Sequence, residues 1–486
     1  MLDNSIRFVD LDEAGNPQFP LSDFSTPGLD DWVLLCDRQC QLNPRLSDIL
    51  ARSAAERPDV ALFFGDEIII DRKQSGGFYF IYKSEIDVTQ LIANDYIGWP
   101  LIVKASILQE FLSSFDHRPG AFTYHLVLSA LSSGHAIGRI TEVLSARNDT
   151  ILRSAASSRQ QVLEQWITER YPDYEIRNGR EAATFRLSMK LGTYPDVTII
   201  VYARLSRDHV DLNDLHVSKL LDSIAASHWP TDRLTVIIDS DCVAGTPFEV
   251  LAYPFDVKLV PTTTSADGQL SHARKLNELW KHVETEHVVF MDDDLIAVGP
   301  DCISALLTFS MQDDVGGVGV GLLHPDGTVN HAGKSGGLSV AGSGAASLRA
   351  GYLADDQNGA EIHREWSMVT GPVFATRRSA LGAVGGFDER FALGLADVDL
   401  CMRMRILGLR IVYTPHAEFT LAENASIGAA HRAGSDVALF IQRWRGLISD
   451  DPAYHPRLSR TPAFPHPLKA EPPLWVHARH QGSEWF

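Results

Sequence analysis

Three consecutive aspartates, Asp292-Asp293-Asp294, follow directly on the apolar run Val288 to Met291, and Asp239 and Asp241 follow in the same way on Leu234 to Ile238. Carboxylates gathered at strand ends repel one another, and a divalent cation relieves that repulsion; the plainer reading is an acidic turn. Another acidic pair, in Ala396-Asp397-Val398-Asp399, opens a helical stretch that runs through Cys401-Met402-Arg403-Met404 and is capped at Gly408. Aspartates in a first helical turn are often only caps or dipole partners. The same position keeps a carboxylate ionised, as a general base must be. The five cysteines, Cys36, Cys40, Cys242, Cys302 and Cys401, are sparse and odd in number, which points to reduced structural thiols.

These acids matter only if the fold gathers them. From about Pro195 to Ile448 strand and helix patterns alternate: a continuous apolar run Val197 to Tyr202, a helix Asp214 to Ser227, a strand Leu234 to Ile238, a helix Ser271 to Val283 and a strand Val288 to Met291. That alternation predicts a doubly wound α/β sheet, which binds ligands at the carboxyl ends of its strands. Residues 1–145 also read as α/β, smaller in extent. Residues 146–194 form a connector: Val162, Leu163, Trp166 and Ile167 share one helical stripe, and Asn178-Gly179 predicts a tight hairpin turn. Residues 451–486 are a proline-rich tail carrying Trp475 and Trp485, expected to wrap the catalytic domain or engage a partner.

The chain has 486 residues, 45% of them hydrophobic, with 43 basic against 62 acidic side chains and a net charge of -19. This is a globular composition of two or three domains. The acidic balance excludes a duplex nucleic-acid binder and a polybasic membrane anchor. No apolar run approaches the roughly 18 residues that span a bilayer, and acids stand near Met1 where a signal peptide would be basic, so a cytoplasmic protein is expected.

With these positions fixed, residues 195–450 resemble a family 2 glycosyltransferase of bacterial O-antigen and surface-polysaccharide synthesis, with the GT-A nucleotide-sugar-binding sheet flanked by helices. The resemblance rests on Val236-Ile237-Ile238-Asp239, Asn277, Phe290-Met291-Asp292-Asp293-Asp294, the stretch Asp313 to Gly319, His324-Pro325-Asp326-Gly327-Thr328, His331-Ala332-Gly333, Thr370-Gly371-Pro372, Gly385-Gly386-Phe387-Asp388, Asp397-Val398-Asp399 and the closing Asp451 to Ser459. It implies an inverting transfer of a hexosyl or deoxyhexosyl group from a nucleotide-diphosphate donor to a glycan or lipid-linked glycan acceptor. Asp292 and Asp294 would hold Mg²⁺ or Mn²⁺; Asp239, Asn277, Asp292, Asp293 and Gly371 would hold the donor; Asp397 would be the base. His331, Thr370 and Asp399 fall on the acceptor side. Other glycan-synthesis enzymes and a peripheral seat at the inner membrane are the implied company and place. A nucleotidyltransferase fits less well, because Arg204-Leu205-Ser206-Arg207 lacks the glycines of a triphosphate loop.

Two departures stand out. Leu421, in Glu418 to Asn424, occupies the position where the family often has a metal-binding histidine, and Tyr202-Ala203-Arg204 replaces its usual proline and threonine. The first admits an alternative, a catalytically inactive binding or scaffold protein. Residues 30 to 145 resemble a second, degenerate copy: Asp37 alone survives of a metal motif, Phe64-Gly65-Asp66-Glu67 and Asp71 fit the stretch after it, and Thr123 stands where the base should be. A second active centre built from Asp37, Asp66 and Glu67 is the alternative to a packing or partner-binding role. The glycine-rich stretch from Gly333 to Gly351, followed by Asp355-Asp356, suggests an acceptor-side lid, with a plain surface loop as the alternative.

Overall fold

The computed structural model describes residues 6–11, 17, 32–71, 77–114, 121–148, 156–190, 192, 194–203, 216–243, 253–262, 271–339, 346–350, 360–392, 394–421, 434–458 and 473–477. Readings that fall on Arg204 to Arg207, Asp214, Gly342, Gly344, Gly351, Asp355-Asp356, Ala422 to Asn424, Ser459 and Trp485 lie outside these residues.

The larger sheet has ten strands. Its main path runs Asp256–Val260, Leu234–Asp239, Val197–Tyr202, His287–Asp292, Val373–Arg377, Val315–Leu323, Arg410–Leu421, Leu295–Val298. The first four are parallel, and Tyr202 pairs with Asp292, so Asp239 and Asp292 stand at carboxyl ends on the same side of the sheet. Val197–Tyr202 is buried at all six residues, and alternation sends Ile199 and Val201 to one core, Ile200 and Tyr202 to the other. A sheet covered on both faces explains why its strands read as continuous apolar runs. The helix Ala396–Ile406 packs on the second face through Val398, Leu400 and Met404, and ends at Gly408, whose φ of 81° favours glycine.

The smaller sheet has seven strands, ordered Ile6–Leu11, Trp32–Asp37, Leu101–Lys104, Val60–Asp71, Ala136–Asn148, Gln41–Leu42, with Gly77–Ile81 attached to Val60–Asp71. Neighbours along this path are parallel, antiparallel, antiparallel, parallel and antiparallel. The larger sheet repeats that order from Val197–Tyr202 to Leu295–Val298.

The connector is packed rather than slack. Val162, Leu163, Trp166 and Ile167 are buried on the helix Ala156–Arg170, and one apolar cluster joins them to Leu34 and Phe63 of the smaller sheet and to Ile199 and Phe419 of the larger. The hairpin Tyr174–Asn178 and Phe185–Met189 turns more widely than Asn178-Gly179 predicts: Asn178 pairs with Phe185, and the N–H of Gly179 donates to Thr184 O across 2.8 Å. A Cβ on Gly179 would lie 2.2 Å from Thr184 Oγ1, so glycine serves close approach here rather than a two-residue turn.

Polar contacts clasp the two sheets together. The N–H of Glu365 donates to Asp87 Oδ2 at 2.8 Å, and Arg410 reaches Thr89 Oγ1 at 2.8 Å while holding Asp314 through two bonds of 2.9 Å. The described part of the tail touches both halves: Asp451 accepts from the N–H of Gly336 at 2.6 Å and Ala453 packs against Trp366 and Tyr413, whereas the rest reaches the smaller sheet. Val476 and Trp475 pack with Ile68 and Phe80, and Arg457 Nε donates to Thr141 O at 2.5 Å. Among the described residues no helix is long and apolar enough to cross a membrane.

Candidate active site

The site grows from four loops at the carboxyl ends of the parallel strands. The strand His287–Asp292 delivers Asp292 and Asp293 as buried residues, with Asp294 half-buried beyond them. The N–H of Asp292 donates to Pro372 O at 2.8 Å, and that of Asp293 to Tyr202 O at 3.1 Å. One residue before Pro372, the N–H of Gly371 donates to Asp397 Oδ2 at 2.7 Å, and Tyr202 Oη donates to Gly371 O at 3.0 Å. The segment Thr370-Gly371-Pro372 therefore ties the half-buried Asp397, in the first turn of its helix, to the end of the acidic strand. Thr370 Oγ1 accepts from Lys334 Nζ at 3.2 Å.

Asp239 is fully buried. Its Oδ2 pairs with Lys275 Nζ at 2.7 Å, and its Oδ1 accepts from Thr262 Oγ1 at 2.9 Å and from the N–H of Asp241 at 3.2 Å. Lys275 also reaches Asp241 Oδ2 at 2.8 Å and Ala203 O at 3.2 Å. Burial opposes the ammonium charge, but the two carboxylates outweigh it and raise the lysine pKa.

Three expected residues prove to be held by their own surroundings. Asn277 Nδ2 donates to Phe387 O at 2.8 Å and to Glu389 Oε1 at 3.0 Å, while its Oδ1 accepts from the N–H of Phe387 at 2.9 Å and from Trp280 Nε1 at 3.1 Å. It thus fastens the loop through Gly386, where a Cβ would come within 2.6 Å of Asn277 Oδ1. His331 is 4% exposed, its Nε2 accepts from the N–H of Gly333 at 3.1 Å, and burial followed by the Lys334 charge holds its pKa well below the usual imidazole value. Asp399, expected on the acceptor side, is instead 0% exposed. Its Oδ1 accepts from Arg443 Nη1 at 2.5 Å and Trp444 Nε1 at 2.9 Å, and its Oδ2 from Arg403 Nε at 2.7 Å, so it joins its helix to the helix Gly434–Ile448. Leu421 is likewise buried, paired with Leu295 across neighbouring strands.

Residues 195–443, just over half of the chain, match the family described as Glycosyltransferase like family 2. The chain belongs to that family. The O-antigen biosynthesis protein RfbC of Myxococcus xanthus is 26% identical over 443 residues, which are 89% of this chain and 34% of that protein. The chain thus spans about a third of this relative's length. An N-acetylglucosaminyl-diphospho-decaprenol L-rhamnosyltransferase of Mycobacterium tuberculosis is 29% identical over 247 residues, 46% of this chain and 79% of that one. A mannosyltransferase from Pyrobaculum calidifontis, solved with GDP-Man and Mn²⁺, is 18% identical, covers 68% of this chain and 76% of its own, and has a TM-score of 0.37. The described residues of this family member form an α/β fold.

Two residues hold the site together in roles that the sequence reading does not assign, Lys275 and Tyr202. Lys275 lies one helical turn from Leu279 on the buried stripe of His272–Trp280, and a lysine on an apolar stripe requires carboxylate partners. That spacing was the available signal. Tyr202 sits at the end of an apolar strand, and nothing local announces that its hydroxyl binds a backbone 169 residues away.

Proposed function

We propose that the chain is a glycosyltransferase that moves a hexosyl or deoxyhexosyl group from a nucleotide-diphosphate donor to a hydroxyl of a growing surface glycan, of O-antigen or capsule type, with inversion. The carrying observation is the three-residue bridge: Gly371 binds the Asp397 carboxylate and Pro372 binds the backbone of Asp292. A base and a diphosphate-binding end held by one short segment suit a single displacement. The acceptor hydroxyl gives its proton to Asp397 as its oxygen bonds to the anomeric carbon, and the bond from that carbon to the diphosphate breaks on the opposite face. Asp239, with Asp241 and Lys275, holds the nucleoside, Asp293 and Gly371 border the diphosphate, and Asn277 acts by fixing the loop at Phe387. Thr370 and His331 border the acceptor.

The donor set fits a divalent cation, since Asp292 and Asp294 offer hard oxygen ligands of the kind Mg²⁺ and Mn²⁺ take. Among the described residues no three His, Cys, Asp or Glu side chains form a metal-binding group, and leucine at 421 adds no ligand, so Asp292 and Asp294 would hold the cation together with the donor diphosphate and water. Bound there, the cation would neutralise charge on the leaving diphosphate. A lipid-linked acceptor is supported by the name of the mycobacterial relative, and implies work at the cytoplasmic face of the inner membrane beside other glycan-synthesis enzymes.

For residues 1–145 we infer a truncated copy of the same fold without its own active centre. The shared order of parallel and antiparallel neighbours supports this, as does register: with Asp37 matched to Asp292, Gly98 matches Gly371. The matching crevice is filled from within. Lys83 Nζ binds Ile97 O at 2.5 Å, Trp99 O at 3.2 Å and Glu67 Oε1 at 3.2 Å, and His455 of the tail reaches Asp66 Oδ2 at 3.0 Å. Asp66 and Glu67 are thereby spent on packing.

Asp397→Asn tests the base. Turnover should fall by about 10²- to 10⁴-fold with nucleotide affinity intact. Loss of nucleotide affinity with turnover per bound donor unchanged refutes the role.

A further inference from the structure

A second cavity, of about 270 Å³, opens between the connector hairpin and the helix Cys302–Ser310. It stands away from the donor crevice: Tyr194 precedes the start of Val197–Tyr202, and His228 and Trp229 precede the start of Leu234–Asp239, whereas Asp292 and Asp239 stand at strand ends. Its lining carries Arg177, Arg186, Lys190, His228, His363 and His416 against a single described carboxylate, Asp301. Asp301 already takes His228 Nδ1 at 3.0 Å, and Arg177 is occupied by Glu175 at 2.6 Å. Arg186 has no carboxylate partner among the described residues, although the chain carries an acidic excess.

The floor of the cavity is unusual for an interior. His363 is 1% exposed, and among the described residues neither Nδ1 nor Nε2 has a hydrogen-bond partner; Trp229 Nε1, on a residue 3% exposed, has none among them either. Orphaned buried polar atoms cost roughly 1–3 kcal/mol each, and a ligand that supplies partners recovers that cost. His363 and His416 meet edge to face at 4.7 Å between ring centres, and the described residues form no metal-binding group of three. An anion therefore suits the site better than a cation. Guanidinium and imidazole donors around an oxyanion make charge-assisted bonds, and Trp229 with Tyr194, edge-on at 5.0 Å, supplies an apolar wall.

We propose that this cavity binds a small phosphomonoester, with its phosphate between Arg186 and His363 and its organic part against Tyr194 and Trp229. Burial followed by neighbouring cations holds His363 well below the ordinary imidazole value and His416 down at about 3, and burial followed by Arg177 lowers Arg186. A bound dianion would reverse this mutual repulsion. The volume exceeds what one or two waters need and matches a ligand of a few carbons with its phosphate.

The test is calorimetric titration of inorganic phosphate and of glycerol 3-phosphate into the full chain, in buffer containing a chelator so that no metal recruits phosphate at Asp292 and Asp294. Arg186→Gln, His363→Phe and Asp294→Asn variants are titrated beside the parent, and a thermal melt checks each fold. Saturable binding, tighter for the ester, weakened at least tenfold in Arg186→Gln and His363→Phe and unchanged in Asp294→Asn, is the expected result. Arg186 is only half-buried on its hairpin strand, so Arg186→Gln carries the test alone should His363→Phe not fold. Absence of saturable binding overturns the proposal. So does binding that survives Arg186→Gln, or that disappears in Asp294→Asn.

Discussion

Gly371→Ala isolates the bridge between base and acidic strand without removing a functional group. A Cβ at this position would sit 3.0 Å from Asp397 Cβ, 3.1 Å from its Oδ2 and 3.3 Å from its Cγ, where ordinary contact begins at 3.4 Å. Gly371 does not occupy the left-handed region, so alanine meets no backbone penalty there and the strain falls on Asp397. Restoring contact moves the carboxylate by about 0.4 Å, and since a 1 Å misplacement costs on the order of 100-fold, turnover should drop roughly five- to tenfold. That corresponds to ~1–1.4 kcal/mol of barrier. The assay is the initial rate of nucleoside diphosphate release with saturating donor, beside calorimetric affinity for the same nucleotide. A rate within twofold of the parent would refute the claim that Gly371 holds the base in place. A loss of affinity with an unchanged rate would assign Gly371 to the donor alone.

Further outcomes follow from the packing. Asp399→Ala strands the partners of a fully buried carboxylate, Arg443 and Arg403, and should cost about 3 kcal/mol or more of unfolding free energy, read from the urea midpoint; a cost below about 1 kcal/mol contradicts its fastening role. Asp87, pushed up to about 7 by burial and then by Glu365, makes the fold prefer its neutral form. Folding then takes up a proton between the ordinary carboxylate value near 4 and about 7, so stability is fullest below that window and falls as pH rises through it. Urea midpoints at pH 5 and pH 8 should differ in that direction for the parent and differ less in Asp87→Asn; equal slopes in the two proteins contradict the assignment.

Much of the larger sheet was legible because its signals are local. A strand covered on both faces writes itself as an unbroken apolar run, which is why Val197 to Tyr202 and Val288 to Met291 were readable, and the acids after them needed only the rule that ligands sit at carboxyl ends. The fate of Asp399 was in principle readable as well. At 100° per residue it points about 200° away from Asp397, so the two cannot face one crevice. Asn277 illustrates a harder limit: helical spacing turns it inward, but only the distant loop at Phe387 decides what its amide binds. The clasp between Thr89 and Arg410 joins residues 321 positions apart and leaves no local trace. His363 carries no signal of its own, because a single histidine between Ile362 and Arg364 shows no periodicity and its unpaired ring nitrogens appear only among the packed residues of the fold.

The central claim, that the crevice at Asp239, Asp292 and Asp294 binds a nucleotide-diphosphate donor, is tested most directly by calorimetric titration of uridine, thymidine, guanosine and cytidine diphosphates. The purified chain is titrated with and without Mn²⁺ or Mg²⁺, beside Asp294→Asn. Metal-dependent binding of one nucleotide, abolished in the variant, is the predicted result. Failure of all four to bind would contradict it and leave a scaffold built on a glycosyltransferase fold.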